Sequence, residues 1–163
     1  RLMGEILESQ YLLEHVVLID PADYDRMKTL GVIASIQPSH ALVGIYGDQA
    51  DHWEDGRIDL AWGFPELETN EIPIVMGTDW PVWPTVDGLV NWQTATDGLQ
   101  NRSISNETIF KGYTSLGRSS ANLEPAGLTP GEWADFIVLN GVPFESDQEI
   151  EVLQTWIGGQ RVY

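Results

Sequence analysis

Pro73-Ile74-Val75-Met76-Gly77-Thr78-Asp79-Trp80-Pro81 is the stretch that decides the reading of this chain. A short apolar run, Ile74 to Met76, stops at Gly77, and an acid, an aromatic and a proline follow. A run this short and this apolar, bounded by breakers, predicts a strand buried on both faces, as in a parallel sheet covered by helices. Asp79 then falls where the strand gives out, at the rim where parallel α/β folds keep their chemistry. The other reading of Asp79 is a turn or helix-capping aspartate.

Working outward, two further segments have the same grammar. Residues 11–17, Tyr-Leu-Leu-Glu-His-Val-Val, predict a strand ending near His15. Asp20-Pro21-Ala22-Asp23 then opens a helix, with Asp20 as N-cap, Pro21 in the first turn and Asp23 facing the helix dipole. That helix is expected to run to about Leu30 and stop at Gly31. Val32-Ile33-Ala34-Ser35-Ile36 is the next short apolar strand, and Gln37-Pro38-Ser39-His40 follows it. Two consecutive strand–helix units thus end next to a histidine. The alternation implies parallel pairing and right-handed crossovers.

The remaining spans are less patterned. Residues 2–10 have helical spacing. Residues 47–56 are polar and carry His52, read as a surface histidine. Helices are expected over 57–68, 86–99 and 106–116. After Asn122 the character changes. Residues 127–132 are turn-rich, 134–139 read as a strand, and 152–163 read as a hairpin around Gly158-Gly159, which suits a primed turn. The predicted organisation is a partial α/β unit over 1–122 and an antiparallel β segment over 123–163.

Composition bounds the function. With 163 residues and 42% hydrophobic content the chain can build a real core. Its net charge of −17 and only 8 Lys and Arg argue against nucleic acid as a partner, because phosphate neutralisation needs clustered cations. The acids are dispersed, so this acidic protein is read as having a solvated acidic surface. No apolar run approaches the roughly 18 residues of a membrane span, and no signal peptide is visible, so a cytoplasmic location and no membrane partner are expected. Cysteine is absent, which rules out disulfides and thiolate metal sites.

Taken in order, Glu14-His15, the Asp20-Pro21 helix start, 31–40, Gly77-Thr78-Asp79-Trp80-Pro81-Val82, 128–139 and the closing 156–163 resemble the C-terminal part of the amidohydrolase superfamily, in its branch similar to N-substituted formamide deformylases. The resemblance covers nearly the whole chain. It implies strands six to eight of a (β/α)8 TIM-type barrel followed by strands of a small β-sandwich. It also implies a hydrolase of carbon–nitrogen bonds in small amide- or formamide-like substrates, acting through a metal-activated water, with one or two divalent metals, zinc first. By the resemblance, His15 is a metal ligand or a carbonyl-polarising group. Asp79 binds metal and shuttles the proton, and His40, Gln37, Trp80 and Trp83 line the substrate pocket. Against these stand plainer readings: a core histidine for His15, a loop-structural role for His40, and rim packing for Trp80 and Trp83. The family's first-strand His-x-His, its middle-strand lysine or acid and its fifth-strand histidine have no counterpart here. The chain is therefore expected to be a C-terminal piece of a longer enzyme. By itself it is expected to bind metal weakly or not at all, to be inactive, and to self-associate through exposed barrel edges. The alternative from another class is a non-catalytic packing or interaction module derived from a barrel.

Overall fold

Val32–Ile36 is the most deeply buried strand, with Ala34 and Ile36 fully inaccessible. Its β-branched residues suit an extended backbone, and both of its edges are paired. In the computed structural model it is the central strand, β2, of a parallel sheet in the order β1-β2-β3. β1 is Tyr11–Glu14 and β3 is Ile74–Met76. The structure describes residues 11–43, 57–84, 86–97, 103–143 and 149–163. The helix expected over 2–10 and the surface position expected for His52 lie outside them.

The registers are Glu14 opposite Ser35 and Ile36 opposite Met76. β1 stops at Glu14, next to the expected end near His15, because Val16 N donates to Glu14 O (2.9 Å) and turns the chain at His15. After β1, Asp20 caps a short 3-10 turn, Pro21–Asp23, by accepting from Ala22 N at 3.0 Å. Helix α1, Tyr24–Thr29, follows and ends at Gly31, whose φ of +65° is the left-handed stop its type allows.

The helix expected over 57–68 is broken. A 3-10 segment, Arg57–Leu60, is followed by α2, Phe64–Thr69. Between them Ala61 bridges Leu18, and Trp62 N donates to Val17 O (2.7 Å). Pairing with the segment after β1 outweighs helical continuation here, and Pro65 starts the new helix. Helices α3, Gly88–Asp97, α4, Asn106–Tyr113, and α5, Ser115–Ser120, complete this part. The single helix expected over 106–116 thus stops at Tyr113 and restarts. At Gly112 the helix packs directly on β3: an added Cβ would lie 2.8 Å from Met76 Cγ and 2.9 Å from Ile74 O.

The core under the sheet joins Ile36, Leu67, Ile74, Ile109, Trp92, Ala95, Phe64 and Met27. Truncating Ile36, Leu67, Ile74 or Ile109 to alanine costs about 2–5 kcal/mol at such sites. β1 is different, since all four of its residues are exposed.

The chain divides into two compact units, Arg1–Ser120 and Ala121–Tyr163. The second holds an antiparallel sheet of β4, Phe136–Leu139, β5, Val152–Ile157, and β6, Gln160–Arg161. Gly158 and Gly159 have φ of +56° and +76°, the values that a primed hairpin turn requires. Phe136 stacks on Trp156 at 5.6 Å across β4 and β5. No helix among the described residues is long and apolar enough to cross a membrane.

Candidate metal centre

The parallel ladder ends with two rungs, His15 N to Ser35 O (2.8 Å) and Gly77 N to Ile36 O (3.0 Å). Beyond them the three chain segments turn, and each delivers one side chain to a common point. His15, His40 and Asp79 each offer a ligand atom within 4.8 Å of the other two. His15 is the first residue after β1. It sits at the apex of a three-residue turn closed by Val16 N and Glu14 O, with φ of +69°. A γ-turn of positive φ is rare and strained. Asp79, three residues after β3, also has a positive φ, +57°. Histidine and aspartate are among the types that tolerate this region. His40 lies in the 3-10 turn Pro38–Val43 that continues from β2.

His40 is buried and its Nε2 finds no hydrogen-bond partner among the described residues. Asp79 Oδ2 is 3.6 Å away, too far for a hydrogen bond. Burial, the largest effect, holds the His40 imidazole below its usual pKa range; Asp79 pulls it back up and His15 pushes it further down. The ring is thus kept neutral, with a lone pair to give. The His15 and His40 rings stack at 5.6 Å, and Trp83 packs on His40 at 5.8 Å.

These residues fit a divalent cation. An orphaned buried imidazole nitrogen calls for an explanation, and two imidazoles with a carboxylate are a donor set suited to zinc and its neighbours. The His40–Asp79 spacing of 3.6 Å is close to the ~3.4 Å edge of a tetrahedron built on metal–ligand bonds of about 2.1 Å.

A hydrogen-bond chain orients His15. Its Nδ1 lies 3.0 Å from Gln37 Oε1, while Gln37 Nε2 donates to Glu14 Oε2 at 3.2 Å. The Glu14 carboxylate can only accept, so it fixes which end of the Gln37 amide faces His15. His15 Nδ1 must then be the donor, which leaves Nε2 as the free ligand atom. Gln37, expected in the substrate pocket, spends its amide in this chain. Trp80 is exposed, and Trp83 is turned onto His40.

His40 joins His15 and Asp79 as a third donor, a grouping the motif reading did not make because that pattern has no view of which loop residues converge. Glu14 was visible only as the neighbour of His15. Asn91 went unnoticed. It is fully buried on the inner stripe of α3 with Trp92 and Ala95, and its side chain bonds to Ser39 and Gly77. An asparagine in an otherwise apolar helical stripe is the signal that could have found it.

Known proteins share sequence and fold with this chain. A model of the amidohydrolase family matches residues 7–163. The chain is 23% identical to Protein LONG AFTER FAR-RED 3 of Arabidopsis thaliana, over 96% of this chain and 29% of that protein. Among solved structures it is similar to E. coli guanine deaminase, with TM-score 0.64, 18% identity, and coverage of 93% of this chain and 38% of the other. It is also similar to an uncharacterized metal-dependent hydrolase from Pyrococcus furiosus, with TM-score 0.52, 21% identity, and coverage of 68% and 24%. The chain thus spans well under half the length of each of these proteins. With almost its whole length matched by the family model, it belongs to the amidohydrolase family.

Proposed function

We propose that this chain carries part of the metal site of a hydrolase that cleaves carbon–nitrogen bonds in small, non-peptide amide-like molecules, formamides among them. β1, β2 and β3 serve as strands six, seven and eight of a (β/α)8 barrel. Residues 1–122 form the partial barrel, and 123–163 contribute strands to a small sandwich. The observation that carries the reading is the convergence of His15, His40 and Asp79 at the C-terminal ends of three adjacent parallel strands, where barrel chemistry sits. Family membership supports it, as does likeness to proteins named as a guanine deaminase and a metal-dependent hydrolase.

His15 through Nε2, His40 through Nε2 and Asp79 through its carboxylate would hold the ion, zinc being the first choice. When bound, a divalent cation supplies Lewis acidity and lowers the pKa of a water. Asp79 has 32% of its side chain exposed, so it can take a proton from an attacking water and pass it to the departing nitrogen. His15, held from behind by Gln37, presents a fixed Nε2 to the ion or to a substrate carbonyl. His40, buried and neutral, keeps its lone pair without competition from water. Trp80 and Trp83 provide apolar surface beside the site for the substrate body.

A titration of the 163-residue chain with Co2+, followed by d–d absorption, tests the reading. Binding is expected to be weak in the chain alone, as three protein ligands without the rest of a barrel would give, and to disappear in Asp79→Asn and His40→Asn. Equal binding by wild type and Asp79→Asn refutes the site. In the longer protein, a His-x-His segment upstream is expected to complete the ligand set, whereas a non-catalytic module would lack it.

A further inference from the structure

We propose that Asn91 is the positioning residue that sets the spacing of His40 and Asp79, an inference that rests on reading those two as ligands of one ion. The two side chains come from different strand ends, and the sheet does not reach either of them. Its last rung is Gly77 N to Ile36 O. Past that rung the two segments are tied together through one amide on α3. Asn91 Oδ1 accepts from Ser39 N at 2.7 Å and from the Ser39 hydroxyl. Asn91 Nδ2 donates to Gly77 O at 2.7 Å. Next to this amide the Tyr113 hydroxyl donates to Gly88 O at 3.0 Å, at the start of the same helix. Ser39 immediately precedes His40, and Gly77 stands two residues before Asp79.

The side chain therefore uses both acceptor positions and one donor of a primary amide. Only asparagine satisfies this set at this reach. Aspartate keeps the bonds from Ser39 but has no proton for Gly77 O, and it would bury a negative charge against that carbonyl. Leucine loses every bond. Because Asn91 is fully buried, water cannot replace what is lost. The clamp works by preorganisation: it holds the loops after β2 and β3 at the separation that leaves His40 Nε2 and Asp79 Oδ2 3.6 Å apart.

A buried asparagine could instead serve only to seat α3. The test separates the two roles in the 163-residue chain, using Asn91→Asp, Asp79→Asn and Leu67→Ala, the last a core truncation outside the cluster. The first readout is Co2+ affinity. Asn91→Asp is expected to bind about 10–100-fold more weakly, the usual loss when a group supporting a ligand is removed, while Leu67→Ala lowers thermal stability and leaves affinity within about twofold. The second readout needs no metal: nuclear Overhauser contacts between the His40 ring and the rings of His15 and Trp83. These are expected to vanish in Asn91→Asp and persist in Leu67→Ala. Affinity unchanged in Asp79→Asn overturns the metal reading; in that case, and where the wild-type chain alone binds no Co2+ detectably, the ring contacts decide the clamp alone. Ring contacts that survive in Asn91→Asp overturn the proposal, as does wild-type affinity in that variant. Should Asn91→Asp fail to fold, Ser39→Ala removes one of the three bonds and is expected to cost about fivefold in affinity; no change there overturns the proposal too.

Discussion

Replacing Gln37 by methionine should weaken metal binding far more than it weakens the fold. Gln37 is 5% exposed and its amide bridges His15 and Glu14 through bonds of 3.0 and 3.2 Å. Methionine has nearly the same volume and flexibility, so the core need not collapse or swell. What disappears is the acceptor that holds His15 Nδ1 as the donor and turns Nε2 outward. Losing such a partner typically costs 10–100-fold in metal affinity, or about 1.4–2.7 kcal/mol. The cost to folding is smaller. Glu14 is exposed and His15 only partly buried, so water can satisfy both groups, and a net loss of about 1 kcal/mol is expected. Co2+ titration gives the first quantity and urea unfolding of the metal-free chain gives the second. Gln37→Glu makes the logic sharper. A carboxylate against Nδ1–H would strengthen His15 as a ligand, but it would also face Glu14 across the 3.2 Å gap now bridged by a donor. That variant should therefore lose stability while keeping metal affinity better than Gln37→Met. If Gln37→Met binds Co2+ within about twofold of wild type, the hydrogen-bond chain does not orient His15 and the reasoning fails.

His40 should make the fold sensitive to mild acid. Its folded-state pKa lies below the ordinary 6.5 of an unfolded histidine, so at pH values under about 6.5 the unfolded chain binds a proton that the folded chain resists. The stability His40 permits is complete above 6.5 and falls as pH drops towards the lowered value; His40→Asn should remove that slope in unfolding curves taken between pH 7.5 and 5, and an identical slope in both proteins would contradict it. The exposed strand β1, with Tyr11, Leu12 and Leu13 at 43%, 41% and 43% accessibility, should pair with a second copy. Because each chain carries a net charge of −17, association should strengthen with salt, and Leu13→Lys should weaken it; a monodisperse monomer by light scattering at high concentration and high salt would refute this.

Much of this architecture is legible in the sequence, for identifiable reasons. Ile74–Met76 and Val32–Ile36 announce themselves because parallel strands covered on both faces need unbroken apolar runs. The strand ends are equally plain, since Gly77 and Gln37-Pro38 break the pattern. Asp20, Gly31 and the Gly158-Gly159 pair act through local backbone chemistry, and each does in the structure what its type allows. The illegible parts depend on contacts distant in sequence. The break at Trp62 arises from pairing with Val17 and Leu18, 45 and 43 positions away from their partners Trp62 and Ala61. The grouping of His40 with His15 and Asp79 depends on how far each loop leans over the sheet. Asn91 acts across 52 positions on Ser39 and 14 on Gly77. Periodicity carries no information about any of these.

Left-handed backbone at two of its three members helps the cluster close. Neighbouring parallel strands lie about 4.8 Å apart, so strands one and three of a sheet are separated by roughly twice that. His40 follows the central strand and already stands next to both neighbours. His15 and Asp79 follow the two outer strands, and groups projecting straight from those ends would remain roughly 10 Å apart. Yet the ligand atoms of all three fall within 4.8 Å of one another. The residues that must lean inward, His15 and Asp79, have φ of +69° and +57°, a feature they share with Val16, Trp62, Glu71 and Asn122; His40, which need not lean, is absent from the positive-φ set. Each left-handed residue costs on the order of 1 kcal/mol or more, and each is held by a nearby backbone bond: His15 N to Ser35 O on His15 itself, and Gly77 N to Ile36 O two residues before Asp79. The sheet thus supplies the anchor, the turns supply the convergence, and a central histidine flanked by two inward-bent neighbours is the arrangement that brings three potential donors from three strands to one point.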